Sequence, residues 1–362
     1  MADLDFGTND SQTVKIWGKK ALKQALGQTL FFKKFLGTDE NALIYWLKDL
    51  ESNNGDEIRY DLLLELEGAG VTGSNELEKN EENLDYQQDT IKIEQLRHAT
   101  GRTLMSSQRT VHDLRENAMW ALSRWWARKF ESYMFRYLCG DTTITHGQTG
   151  VVYDANHVVY AGTASSEATL TNNDRFTLPM IDYALENAKT QAKRMLPVMI
   201  EGKQHYAVVL HPYSMTDLKL NIGGSSSSKW LEIQRDANNR GKDNPIFTGA
   251  AGVYNNCIIF ESPDILKSRN AADYVASTNE SEVRRNLFLG ARAGCFAMGN
   301  AYDKMDQKKM GGDNMISWHE YTRDAGDKRY VAAGSAFGIK KTIFEGEDYG
   351  VITMPCYAKK AS

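Results

Sequence analysis

Four cysteines in 362 residues, no two of them at C-x-x-C spacing, leave neither a disulfide framework nor a thiolate metal cluster to organise the chain. Cys139, Cys257, Cys295 and Cys356 lie far apart, mostly in apolar contexts such as NNCIIF and GCFAM, which predicts buried free thiols. No run approaches the roughly 18 apolar residues of a membrane helix. The start, MADLDFGTNDSQT, has neither the basic nor the apolar region of a signal peptide. The expectation is a chain kept in a cytoplasm-like compartment with no membrane contact. Charge of one sign is also missing: 43 basic and 47 acidic residues leave a formal charge of -4. Nothing draws the whole chain to a polyanion, so any nucleic-acid contact would have to be a local patch.

Catalytic patterns are equally scarce. The seven histidines (His98, His112, His146, His157, His205, His211, His319) form no H-E-x-x-H pair, and no serine stands in G-x-S-x-G, since GSAFG misses that elbow by one position. His112 and Asp113 are adjacent on a helical stretch, where neighbours diverge. Neither a catalytic residue, a metal site nor a cofactor is expected from these patterns.

One motif does point to an enzyme. Gly68, Gly70 and Gly73 in GAGVTG have the G-x-G-x-x-G spacing of a dinucleotide-binding turn and follow an apolar strand-like segment. Such a turn needs an apolar helix starting inside the glycines, with its positive end on the phosphates. Here the chain continues SNELEKNEENLDYQQ. Between Glu65 and Asp85 stand seven acids, among them Glu76, Glu78, Glu81 and Glu82, against Lys79 alone. That loop repels phosphate, and it lacks the D-x-D-x-D-G spacing of a calcium loop.

What is present is a chain with 41% hydrophobic residues, enough for real cores. Between Ser11 and Gly37, six lysines, including Lys19 and Lys20, occur without one acid. Trp17, Phe31 and Phe32 belong to the apolar residues interleaved with them. This arm either packs on a neighbouring subunit or polyanion, or folds back on its own core. Ile58 to Leu66 and Thr90 to Leu96 alternate in polarity, which predicts a long hairpin with a connection far beyond the usual two to five residues. From Ser106 to Leu138 apolar residues recur at helical spacing with no Gly or Pro, a helix that would run roughly 50 Å. Its Trp120, Trp125 and Trp126 are read as packing on the core and on neighbours. Residues 141–175 read as loops and a small hairpin, 177–195 as an amphipathic helix with Thr177 as its cap, and 197–300 as an α/β lobe followed by terminal strands.

In this order the features resemble the major capsid proteins of tailed phages, more narrowly the family typified by the coliphage called N-four. The resemblance is carried by ALIYWLKDL, GDEIRYDLLLELEGAGVTGSNELEKNEENL, IKIEQLRHA, SSQRT and FGIKKTIFEGEDYGVI. It implies an α+β Johnson fold: an N-terminal arm (1–45), an E-loop with flanking strands (46–103), a P domain with the spine helix (104–196), an A domain (197–300) and a return to the P domain (301–362). It further implies hexamers and pentamers closing an icosahedral shell around double-stranded DNA, assembly in the host cytoplasm, and portal, scaffolding and decoration proteins as partners. The E-loop tip (Gly68, Gly70, Gly73, Glu76, Glu78, Glu81, Glu82) would lie on an adjacent subunit, with Arg124, Arg128, Lys129 and Arg136 of its spine as acceptors. The arm (Trp17, Lys19, Lys20, Phe31, Phe32) would clamp a neighbour. An encapsulin-like compartment, which shares the fold, is the alternative shell, and a nucleotide-binding enzyme through Gly68–Gly73 is the alternative of another class.

Overall fold

In a computed structural model, the described residues are 29–39, 41–48, 55–63, 70–73, 78, 81, 86–109, 114–191, 194–200, 202–220, 251–266, 282–299 and 316–360. The chain enters through a π-helical turn at Phe31–Phe35 and the short parallel strands β1 (Leu36–Gly37) and β2 (Ile44–Leu47). The hairpin strands β3 (Glu57–Leu63) and β4 (Tyr86–Lys92) follow, then β5 (Glu94–Thr103), α1 (Leu104–Arg109) and the spine α2 (Leu114–Leu138). Of the helix expected from Ser106, the stretches up to Arg109 and from Leu114 to Leu138 are helical, the latter 25 residues long, and residues 110–113 lie outside the described residues. The spine stops at Gly140, whose φ of +72 is the left-handed conformation that ends helices.

Beyond a long irregular segment come α3 (Leu178–Thr190), β6 (Val198–Ile200), β7 (Lys203–Leu210) and α4 (Pro212–Leu220). Thr177 occupies the N-cap position of α3, but its hydroxyl makes no capping bond; Pro179 in the first turn presets the helical φ instead. The strands β8 (Gly252–Tyr254) and β9 (Cys257–Glu261) turn through Asn255 and Asn256, both at positive φ, the hairpin geometry that Asn tolerates. The remaining strands are β10 (Val283–Leu289), β11 (Gly294–Met298), β12 (Ser317–Arg323), β13 (Lys328–Lys341), β14 (Ile343–Phe344), β15 (Glu347–Asp348) and β16 (Val351–Tyr357).

Two six-stranded sheets organise these elements. The first runs β1-β2-β11-β13-β12, with β5 on the other side of β13; the second runs β16-β10-β7-β9-β8, with β6 beside β7. The spine lies on the first sheet. Trp126, Phe130 and Met134 are buried in one core with Phe296, Phe337 and Ile339. A second core joins the Leu178, Ile181, Leu185 and Ala188 face of α3 to β7, β9, β10 and β16. Strands cross between the layers late in the chain: β11 belongs to the first sheet and β16 to the second.

Two expectations change. Thr90 to Leu96 is not one strand, because Ile93 breaks it: β4 pairs with β3 and β5 with β13. The 141–175 segment forms no hairpin of its own; it lies along β16, where Val159 and Ala161 donate to the carbonyls of Thr353 and Pro355. All four cysteines are free and buried, and burial pushes the Cys139, Cys257 and Cys356 thiols up to about 12.

Candidate assembly interface

The β3–β4 hairpin is a two-stranded ribbon paired with neither sheet. Among the described residues, the part that is anchored is its root. Ile58, Tyr60 and Ile91 bury their side chains in a small cluster with Leu47, Cys295 and Phe344. Tyr60 donates to Asp89 at 2.7 Å, and Lys340 of β13 pairs with Asp89. Gln148 accepts from the Lys92 amide at 3.1 Å and donates to the Ile339 carbonyl, bridging hairpin and sheet. On the other face of the same strand, Glu57, Arg59 and Asp61 are exposed.

At the far end Gly70 and Gly73 have φ of +68 and +72, and an added Cβ would meet nothing within 4 Å at either. Glu78 and Glu81 are exposed. Gly68, Glu76 and Glu82 lie outside the described residues. The antiparallel register from Glu57↔Lys92 to Leu63↔Tyr86 replaces the parallel crossover that a dinucleotide turn requires, so the phosphate-cradle reading of GAGVTG fails on topology.

Of the arm residues, Trp17, Lys19 and Lys20 lie outside the described residues, as does the side chain of Phe32. Phe31 is corrected. It is fully buried in its own subunit, edge-on to Phe135 of the spine at 4.6 Å, because an aromatic pair and a shared core outcompete a wait for a partner. The Leu30 amide donates to Glu131 of the spine at 3.3 Å. Burial, opposed by that bond and reinforced by Asp264, pushes the Glu131 carboxyl up to about 7.

The four spine cations are placed differently from one another. Arg124 is exposed and stacks over Trp120, 4.6 Å from the ring centroid. Arg128 is exposed. Lys129 lies over Tyr133 at 5.0 Å and Trp125 at 5.7 Å. Arg136 is spent inside the subunit, 2.6 Å from Asp141 and bonded to Thr143. Of the tryptophans, Trp126 is buried, Trp125 stacks on His98 at 4.3 Å, and Trp120 is 48% exposed. The other histidines serve as hydrogen bonders where bonds are defined. His146 meets the Phe337 carbonyl at 3.1 Å, with its pKa lowered by burial, and His157 binds Asp154 at 2.8 Å.

Composition and spacing did not point to the buried charges around residues 139–175. Arg285 of β10 holds Glu167 through two bonds of 2.6 and 2.9 Å and donates to the Cys139 and Gly140 carbonyls. Those carbonyls end the spine, where a cation complements the helix dipole. Lys341 of β13 pairs with Asp348 at 2.5 Å and donates to Val152; burial lowers the Lys341 pKa and raises that of Asp348. Each sheet thus sends one buried cation to the irregular segment or its border. The available signal was charge inside a strand, as in the fully buried VRRNLFL of β10. Among the described residues no cluster of His, Cys, Asp and Glu could hold a metal ion.

Similarity to known proteins fits this geometry. A family described as phage capsid protein matches residues 5–360. The major capsid protein of Pseudomonas phage KPP25 is 27% identical, over 96% of this chain and 95% of the relative. The solved capsid of Ralstonia phage GP4 superposes with a TM-score of 0.79 at 32% identity, covering 92% of each chain. The capsid of cyanophage Pam1 does so at 0.70 with 19% identity, over 92% of this chain and 93% of that one. The α+β architecture is therefore the capsid fold expected from the resemblance, and the chain belongs to the phage capsid protein family as a major capsid protein, a component of the virion shell built from many copies.

Proposed function

We propose that the chain assembles without catalysis into hexamers and pentamers that close an icosahedral shell around double-stranded DNA, in the host cytoplasm. The observation that carries this reading is the β3–β4 ribbon: a hairpin that, among the described residues, is anchored at its root and pairs with neither sheet, in a family that builds shells. Extended ribbons of this kind are stable only when another surface covers them, and head-to-tail contacts that close generate rings. The working division is an arm at 1–45, an E-loop region at 46–103, a P domain at 104–196 with its return at 301–362, and an A domain at 197–300. Portal, scaffolding and decoration proteins are the remaining partners of this reading.

The acidic connection of the hairpin (Glu76, Glu78, Glu81, Glu82) then lies on the next subunit, with Gly68, Gly70 and Gly73 bending its path. On the spine, Arg124 and Arg128 are the acceptors that remain exposed. Electron microscopy of the purified full-length chain tests the reading. Closed shells are expected, and a preparation holding only single subunits under all assembly conditions would overturn it.

A further inference from the structure

The chain crosses from the first sheet to the second through the β14–β15 hairpin, between β13 and β16. That crossover presses a lysine against an aspartate in the interior. Lys341 ends β13, and the turn at Glu345 and Gly346, with φ of +49 and +85, brings Asp348 back opposite Ile343. Backbone bonds fix both positions: the Thr342 amide donates to the Ala293 carbonyl, the Tyr349 amide to the Thr342 carbonyl, and the Asp348 amide to Asp154 at 2.7 Å. The two side chains are 2% and 3% exposed, with Lys341 Nζ 2.5 Å from Asp348 Oδ1. Nζ also donates to the Val152 carbonyl at 3.3 Å, which aims it.

Oδ2 of Asp348 is buried and, among the described residues, meets no donor. As an ion pair the two groups therefore hold desolvated charges and an unsatisfied carboxylate oxygen. Burial lowers the Lys341 pKa and raises that of Asp348, each opposed by the other's charge. The pair is drawn towards a neutral amine and a neutral acid by passing one proton from Nζ to Oδ1. A desolvated neutral lysine is a nucleophile, and holding it against the acid makes acylation an intramolecular step. Two other pairs lack one of these conditions. Arg285 on Glu167 is as deeply buried, but a guanidinium keeps its protons. Lys340 on Asp89 is 20% and 15% exposed, and Asp89 also accepts from Tyr60 and the Thr90 amide.

We infer that Lys341 and Asp348 join in an amide bond within one subunit, formed by the folded chain without a co-reactant. Nζ attacks Cγ of the carboxylic acid, so the N–C bond forms and the Cγ–Oδ1 bond breaks. Oδ1 leaves as water, carrying the proton it took from Nζ and a second one that Nζ releases as the amide forms. One ammonium and one carboxylate become one amide and one water, with no change of oxidation state. The product holds no buried charge, and Oδ2 becomes a neutral carbonyl oxygen. The bond staples the end of β13 to the hairpin that leads into β16. Both residues belong to the same subunit, so it forms whether or not shells close.

Tryptic mapping of the folded full-length chain, denatured just before digestion, tests this. The amide blocks cleavage after Lys341, so the peptide 341–359 is expected in most copies, lighter than its sequence by one water. In Lys341→Arg the link is lost, and the peptide 342–359 should appear at full mass. Full-mass 342–359 as the main product of the wild-type chain would overturn the inference. So would a water loss in 342–359 after cleavage at Lys341, which marks a cyclic imide at Asp348, or a water loss that persists in the Lys341→Arg chain. The wild-type map decides without the variant, so a Lys341→Arg chain that folds poorly leaves the outcome unchanged.

Discussion

The β3–β4 hairpin and the 139–175 segment are held by opposite means. The hairpin has regular strands and, among the described residues, little burial: Ile58, Tyr60 and Ile91 anchor one end, while Glu78 and Glu81 of its connection are exposed. The segment has almost no regular structure, yet it is fixed by buried charges, Glu167 on Arg285 and Asp154 on His157, with Lys341 on Val152 beside it. Regularity and rigidity are thus separate properties here. A loop can be locked when its polar groups are satisfied inside, and a hairpin can be left for others to cover.

The sharpest way to break that contrast is to remove one side of a clamp. Glu167→Ala leaves the Arg285 guanidinium, 0% exposed, without its partner, at a cost of about 3–5 kcal/mol. Removing both charges (Glu167→Ala with Arg285→Met) should recover part of it. Urea unfolding of the unassembled subunit reads both, and equal losses in the two variants would show that packing, not charge, fixes the segment.

Next in size is the joint between spine and segment. Gly140 has φ +72, and an added Cβ would sit 3.0 Å from backbone atoms of Val151, Val152 and Tyr153. Gly140→Ala combines the left-handed penalty with a clash that backbone cannot avoid cheaply, about 2–4 kcal/mol. A change below 1 kcal/mol by the same unfolding measurement, about the left-handed penalty alone, would mean the joint gives way.

Acid should act on the segment through Asp154. Burial alone would raise the Asp154 carboxyl, but bonds from His157, the Asp348 amide and the Asn156 amide outweigh it and hold the group at about 2. A depressed folded pKa contributes stability that is complete above the unfolded value near 4 and is lost as pH falls towards 2. Asp154→Asn should therefore cost about 2 kcal/mol at pH 7 and flatten the acid limb between pH 4 and 2. The sign reverses at Glu131, whose carboxyl sits at about 7 through burial. Its charge destabilises the fold increasingly as pH rises from 4.5 to 7. Glu131→Gln should leave stability unchanged at pH 4 and raise it by about 1–2 kcal/mol at pH 8, and a loss at pH 8 would mean the Leu30 contact needs the anion.

Legibility in the sequence follows the same divide. The hairpin was readable because alternation is local: Ile58, Tyr60 and Leu62 announce one face within a few residues. The spine was readable from helical spacing, and its end from Gly140. The clamp between Glu167 and Arg285 was not, since the two are 118 residues apart. The break at Ile93 was hidden for a related reason. Both halves of the run keep strand periodicity, and only the choice of partner, β3 or β13, separates them. Phe31 was ambiguous because an apolar residue in a basic arm suits a neighbour or its own core equally well, and the position of Phe135 decides it.

The smallest expected effect isolates what the hairpin glycines contribute. Gly70 shares the left-handed φ of Gly140, +68 against +72, but has open space where Gly140 has backbone. Replacing Gly70 by Ala therefore keeps the conformational penalty of about 1 kcal/mol and removes the clash. Because the hairpin end contributes little to the subunit's core, much of that penalty is avoided by a local change of path, and subunit unfolding should move by less than about 0.5 kcal/mol. A new path is harmless to one subunit and harmful to a contact that must meet a neighbour, so Gly70→Ala with Gly73→Ala should lower shell yield while leaving the melt unchanged. The opposite pattern, a lowered melt with normal shells, would place the glycines in the subunit's own stability and erase the contrast between the two regions.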